Sequence, residues 1–141
     1  MVAVDGNGIP LSIVTEAANV SEFKLALKTM DQISVAKRPN HPKKRPEKIV
    51  ADRGYDAKWL RVSMWQRRIK PFIPKRRKRG RKEDPKFNNS VKDMYKIRWI
   101  VERTNAWLQN YRRVAMRWDK LADSYEAFIE LACILICLRR V

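Results

Sequence analysis

Two carboxylates in this 141-residue chain stand where chemistry is possible, and each has a plain structural explanation beside the functional one. Asp52 closes the short apolar run KIVAD, residues 48–52, which reads as a strand, and Gly54 permits a sharp exit from it. A carboxylate at the C-terminal end of a sheet strand stands at the mouth of the sheet, where ligands bind in α/β folds. The alternative is an aspartate that caps a turn. Glu102 follows Tyr95 and Arg98 at spacings of three and four, so all three project from one helix face. Its alternative is a surface ion pair with Arg98, which contributes only about 0.3–0.5 kcal/mol. The flanking Trp99, Ile100 and Val101 weigh against that, because a helix covered on much of its circumference puts a glutamate at a cleft or a boundary.

The elements that must position these residues follow from pattern. Val2 and Val4, the turn Asp5-Gly6-Asn7-Gly8, then Leu11, Ile13 and Val14 read as a β-hairpin over residues 1–18. Ser21 is placed to N-cap an amphipathic helix carrying Phe23, Leu25, Ala26, Leu27, Met30 and Ile33. Residues 37–48 hold three prolines and many cations and read as a solvated loop. After the strand at 48–52, Asp56 is placed to cap a helix over 57–68, and Pro71–Pro74 reads as a second short strand. Strand, helix, strand in that order implies a right-handed crossover within a mixed sheet. Residues 75–82 are almost solid positive charge and read as a loop. A long helix is expected over 91–117, with Ile97, Val101, Leu108 and Tyr111 on one stripe and Ile100, Trp107 and Val114 widening it. A last helix over 121–139 should turn Leu121, Phe128, Leu131, Leu135 and Leu138 toward the core.

The hydrophobic fraction of 45% is ordinary for a folded protein and argues against disorder, but the charge is not ordinary. Lys and Arg number 32 against 15 acids, for a formal net charge of +17. That balance favours a polyanionic partner, most commonly nucleic acid. A membrane surface would call for a basic amphipathic helix or a lipid motif, and neither is evident. Charge alone leaves open a basic nucleic-acid-binding protein without catalysis. Cys133 and Cys137 lie four apart in an apolar run and read as buried free thiols, and His41 reads as a loop residue. The longest apolar run is too short to span a bilayer, and a cytoplasmic, nucleoid-associated protein is expected.

Residues 51–56, Ala-Asp-Arg-Gly-Tyr-Asp, followed by Arg61, resemble the second motif block of DDE-type bacterial insertion-sequence transposases. Residues 95–109 resemble the third block, in which Tyr, Arg and Glu precede a Lys: Tyr95, Arg98 and Glu102 match, whereas Gln109 stands at the Lys position. Residues 101–120, with the apolar segment 131–140 behind them, are similar to the subgroup whose helix reads V-E-R-T-x-A-W-L, and residues 2–20 resemble the hairpin before the second block.

The resemblance implies an α/β, ribonuclease-H-like mixed sheet with flanking helices, lacking its first strand, so that residues 1–141 form a partial transposase catalytic domain. It implies metal-dependent phosphodiester hydrolysis and strand transfer at transposon ends, with two Mg²⁺ (or Mn²⁺) ions in a complete site. Asp52 and Glu102 carry over as metal-ligating second and third acids, with Tyr95 and Arg98 as helpers at the DNA phosphate. Arg61 is a DNA-contact candidate. So are Lys43, Lys44 and Arg45 and, from the second basic stretch, Lys75, Arg76, Arg77, Lys78, Arg79, Arg81 and Lys82. The first acid of the family lies upstream of the hairpin. Asp5 belongs to the hairpin turn instead, so this chain alone is expected to be inactive. The partners implied are transposon-end and target DNA, with room for a homodimer in the DNA complex.

Overall fold

Alternating Val2 and Val4 and the glycine-rich turn after them give the hairpin its shape in the computed structural model, which describes residues 1–17, 19–35, 42–76 and 89–140. Strands β1 (Val2–Val4) and β2 (Pro10–Ile13) pair antiparallel, with a register irregularity between Ala3 and Val4. Asp5 organises the turn: its Oδ1 accepts the N–H groups of Asn7 and Ile9, each at 2.8 Å. Gly8 has φ +88°, in the left-handed region open to glycine.

Helix α1 (Glu22–Asp31) buries Ala26, Thr29 and Met30. Ser21 precedes it with extended backbone, but its hydroxyl makes no capping bond; its carbonyl accepts the Lys24 N–H at 2.9 Å instead. Strands β3 (Lys48–Val50) and β4 (Lys70–Phe72) pair parallel, Ile49 opposite Pro71, and helix α2 (Lys58–Gln66) connects them. The expected single mixed sheet is therefore two two-stranded sheets among the described residues, β1–β2 and β3–β4. Each strand is only three or four residues long, and β3 stops two residues before Asp52.

Helix α2 ends in a tight reversal. The Ile69 N–H reaches the Met64 carbonyl and the Arg68 N–H reaches the Trp65 carbonyl, both at 2.8 Å. This bonding satisfies the last helical carbonyls and requires a left-handed residue, which here is Arg68 with φ +57°. Leu60 and Met64, one turn apart on α2, are fully buried with Ala26, Met30, Ile69 and Ile73, and Met1, Phe23, Ile49 and Tyr55 pack around them.

The expected continuous helix over 91–117 is broken. Helix α3 (Asn89–Tyr95) tightens into a 3-10 turn at Lys96–Arg98, helix α4 runs Trp99–Gln109, and a single turn, α5, covers Arg112–Ala115. The buried face of α4 is Ile100, Thr104 and Leu108, at the i, i+4, i+8 period, while Ile97 from the expected stripe is exposed. Helix α6 (Ala122–Leu138) buries Ile129, Ala132 and Ile136. Leu121, Leu131, Leu135 and Leu138 were expected in the core and face solvent instead, Leu138 being 70% exposed. From Leu131 to Leu138 the helix is apolar on every side, so that stretch carries no periodic signal to say which side is inward. Cys133 and Cys137 are free thiols and half-buried, not fully buried. Burial, then the neighbouring Cys137 and Glu130, push the Cys133 thiol up to about 11. No helix among the described residues is long and apolar enough to cross a membrane.

The hairpin tip docks on α4. Thr104, 0% exposed, donates its hydroxyl to the Gly8 carbonyl at 2.7 Å, and Arg103 Nη2 donates to the Asn7 carbonyl at 2.6 Å. A Cβ at residue 8 would lie 2.9 Å from both Arg103 Nη2 and Thr104 Oγ1. Gly8→Ala is expected to lower unfolding stability by about 2 kcal/mol or more, combining left-handed strain with overpacking. Thr104→Val, which strands the Gly8 carbonyl, should cost about 1–3 kcal/mol. Urea denaturation checks both, and unchanged midpoints would show that the joint carries no stability.

Candidate functional site

Chain direction places Asp52 beyond the C-terminal ends of the parallel strands β3 and β4. The residue is exposed, with extended backbone, and it caps the 3-10 turn Arg53–Tyr55 by accepting the Gly54 N–H on Oδ1 at 2.6 Å. Its Oδ2 makes no hydrogen bond among the described residues. Gly54 leaves space for this geometry, because a Cβ there would sit 2.7 Å from Asp52 Oδ1. The turn-cap explanation of Asp52 is thus realised, and it leaves one carboxylate oxygen open to solvent.

Asp56 secures the same turn from its other side. It was expected to cap α2, but Ala57 occupies the cap position with no side-chain bond. Asp56 Oδ1 instead accepts Arg61 Nε at 2.8 Å, and Oδ2 accepts the Arg76 N–H at 2.5 Å. Arg61 also donates to the Ile73 carbonyl at 2.7 Å, and Arg76 Nη2 to the Gly54 carbonyl at 3.0 Å. The turn bearing Asp52 is therefore bolted to the segment that leaves β4. Arg61 and Arg76, both expected to contact DNA, are engaged in this clamp. Burial pushes the Asp56 carboxyl up, but the Arg76 N–H, the Arg61 guanidinium and the Lys75 charge outweigh it and hold Asp56 below the ordinary carboxylate range.

Tyr55 completes this corner, with Phe23 edge-on to it at 6.3 Å and Trp59 edge-on to Phe23 at 6.2 Å. Burial, then the charges of Glu22 and Asp52, push the Tyr55 hydroxyl up to about 12, so it stays a protonated donor at neutral pH. Sequence reasoning did not single out Glu22. Its only sequence signal is an acid in the first turn of a helix, and that position is explained equally well by the helix dipole.

Glu102 sits in the first turn of α4 on the side away from Ile100 and Thr104. Its Oε1 is 2.5 Å from Arg98 Nη2, and both side chains are partly exposed, Glu102 at 55%. Arg98 also lies over the Tyr95 ring, 5.5 Å from its centroid. The 3-10 turn between Tyr95 and Trp99 thus presents Tyr95, Arg98 and Glu102 as one connected group. Helix α3 packs against β4, and α4 against β1, so this helical segment runs between the two sheets. No three or more His, Cys, Asp or Glu side chains converge in a metal-binding arrangement among the described residues.

The remaining basic candidates divide. Lys43 pairs with Glu47 at 2.8 Å, and Lys44 and Arg45 are exposed beside it, next to the start of β3. Lys75 is exposed near Asp56. Arg77, Lys78, Arg79, Arg81, Lys82 and His41 lie outside the described residues.

Residues 1–137 match the family described as the transposase DDE domain. A candidate transposase for the insertion sequence element IS402 of Burkholderia cepacia is 37% identical over 137 residues, which are 96% of this chain and 60% of that protein. The chain therefore spans about 60% of the length of that curated relative. No solved structure matches it.

The Asp56 clamp predicts a pH signature. A carboxyl held low in the folded state contributes stability above its unfolded pKa and loses it as pH falls through the folded value. Asp56→Asn should lower Tm at pH 7, and the gap from the parent should close as pH drops below the ordinary carboxylate range. A gap that stays constant with pH would remove the clamp's electrostatic role.

Proposed function

We propose that this chain, which belongs to the transposase DDE domain family, forms the part of a ribonuclease-H-like catalytic domain that supplies two of three metal-binding acids for DNA transposition. The observation that carries the reading is the coincidence of motif and place. The Asp-x-Gly block falls beyond the C-terminal end of a parallel strand pair, the usual ligand position of α/β sheets, and the Tyr-Arg-Glu block falls on one helical surface. The hairpin and the β3–β4 pair would be the flanking portions of one larger sheet.

Asp52 and Glu102 suit a hard divalent cation. Both are exposed oxygen donors, and Asp52 keeps Oδ2 outside any hydrogen bond among the described residues. A complete ligand set needs another acid, which the length of the IS402 relative leaves ample room for. Bound there, Mg²⁺ or Mn²⁺ would make water or a 3′-hydroxyl nucleophilic and stabilise the leaving oxygen.

The chain's own residues do the positioning. Gly54 N–H and the Arg61–Asp56–Arg76 clamp fix where Asp52 points. Arg98 aligns Glu102 and, on a DNA complex, exchanges that carboxylate for a phosphate oxygen beside the cleaved bond. Tyr95 donates to the same phosphate. The net charge of +17 draws the polyanion to the site. The charge would serve a non-catalytic DNA-binding protein equally, but nothing in that reading calls for the two motif blocks.

In a protein that contains all three acids, Asp52→Asn and Glu102→Gln should each reduce Mg²⁺- or Mn²⁺-dependent nicking of transposon-end DNA to background. Tm should move by no more than about 0.5 kcal/mol equivalent, since both side chains are exposed. Nicking retained in either variant would remove that residue from the catalytic set.

A further inference from the structure

The two ends of the β3–β4 pair use their cations differently. Beyond the C-terminal end, Arg61 and Arg76 are bonded to Asp56, Gly54 and Ile73. Beside the opposite end, where Lys48 and Lys70 begin the strands, a cavity of about 320 Å³ is lined by Lys43, Lys44, Arg45, Pro46, Glu47 and Arg68. Four cations meet one carboxylate there, and Lys43 pairs with it. Lys44, Arg45 and Arg68 make no ion pair among the described residues.

Arg68 is the telling member. It holds the left-handed position that ends α2, φ +57°, where glycine is the unstrained residue. Its side chain is exposed and gains no hydrogen bond from the fold among the described residues. The Ile69–Met64 and Arg68–Trp65 bonds impose the conformation whatever the side chain is. Strain that no internal contact offsets marks a side chain held for an external ligand.

We infer that this cavity is a second phosphate site, which grips the nucleic-acid backbone away from the carboxylates with Arg68 as its anchor. The inference rests on the proposed reading that DNA is the partner. From Glu47 to Asp52 the chain runs five extended residues, about 16 Å at ~3.3 Å each. That is roughly five base steps along a duplex, so the phosphate held here is not the one cleaved. Lys44, Arg45 and Arg68, guanidinium and ammonium groups with no ion pair among the described residues, suit a phosphodiester, while Glu47 engages Lys43.

The test pairs stability with binding. Arg68→Gly should raise Tm by roughly 2–5 °C, because it relieves the left-handed residue. It should at the same time weaken binding of a fluorescein-labelled duplex roughly five- to tenfold near 0.1 M salt, and reduce the slope of log K against log salt by about 0.9. Lys24→Ala, an equal charge loss on exposed α1 away from the cavity, should change the slope much less. A more stable but weaker-binding Arg68→Gly supports the site. Unchanged binding, an equal loss in Lys24→Ala, or a Tm that does not rise overturns it. If the parent chain itself fails to bind DNA, the proposed function falls too. If the parent binds and Arg68→Gly binds equally, only the cavity assignment falls.

Discussion

The fold turns on the contact between the hairpin tip and α4. Thr104 is fully buried and gives its hydroxyl to the Gly8 carbonyl, and that approach is possible only because residue 8 has no Cβ. The contact matters because each core cluster is small. One gathers α1, α2 and the residues around β3 and β4, and the other gathers α4 and α6. At the open end of the hairpin, Met1 on one strand packs into the first, and Ile13 on the facing strand packs into the second. The hairpin is thus the piece shared between them, and its docked tip sets where α4 lies relative to the rest. Small cores of this kind are individually marginal, so a shared element has more leverage than its size implies.

Arg103 shows how orientation and stability separate at this joint. Its guanidinium lies 4.6 Å from the Trp99 ring and 4.7 Å from the Trp107 ring, with Arg140 on Trp107 at 4.0 Å. Each such contact contributes about 0.5–1 kcal/mol where solvent reaches it. Against that, Arg103 Nε is buried without a partner among the described residues, which costs about 1–3 kcal/mol. The two terms roughly cancel. Arg103 therefore adds little net stability, but it fixes the rotation of α4 about its axis through the Asn7 carbonyl. With Ile100, Thr104 and Leu108 inward and Arg103 clamped, Glu102 has no place to go but the solvent-facing side, beside Arg98.

Much of this was legible in the residues, for reasons that can be named. Asp-Gly-Asn-Gly between valines and apolar residues announces a hairpin, and the turn found there uses Asp5 as turn chemistry demands. The strand–helix–strand order around Asp52 was also readable, because a short apolar run and an amphipathic helix differ in period. Three features were not. The helical break at Lys96–Arg98 leaves no glycine or proline in the sequence, so nothing local marks it. The inward face of α6 was assigned to Leu121, Phe128, Leu131, Leu135 and Leu138, when Ile129, Ala132 and Ile136 are its buried residues, because from Leu131 to Leu138 every side of that helix is apolar. Asp56 looked like a helix cap, since a cap is a local pattern, whereas its actual partners are five and twenty residues away. For the acids the spacing alone was ambiguous, and the structure keeps both simple explanations in force: Asp52 does cap a turn, and Glu102 does pair with Arg98. A catalytic role for either acid would be layered on these structural roles and would not replace them.

The same layering governs the charge. A formal +17 invites counting every Lys and Arg as a phosphate contact, but the cations are not equally available. Near Asp52, the Arg61 guanidinium bonds Asp56 and the Ile73 carbonyl and the Arg76 guanidinium bonds the Gly54 carbonyl, so releasing them would loosen the turn that holds the acid. On α1 and α2, Lys28 pairs with Glu16 and Arg67 with Asp31, exposed pairs that each contribute a fraction of a kcal/mol and would yield to a phosphate readily. Lys44, Arg45 and Arg68 make no ion pair among the described residues. Counterion release scales with phosphates neutralised, so it is set by the cations free to leave their protein partners and not by the formal sum. Arg61 and Arg76 would then contribute less to any affinity for a polyanion than their charge implies. Their task is to hold a carboxylate in place within a strongly positive surface, where an unrestrained acid would collapse onto the nearest cation.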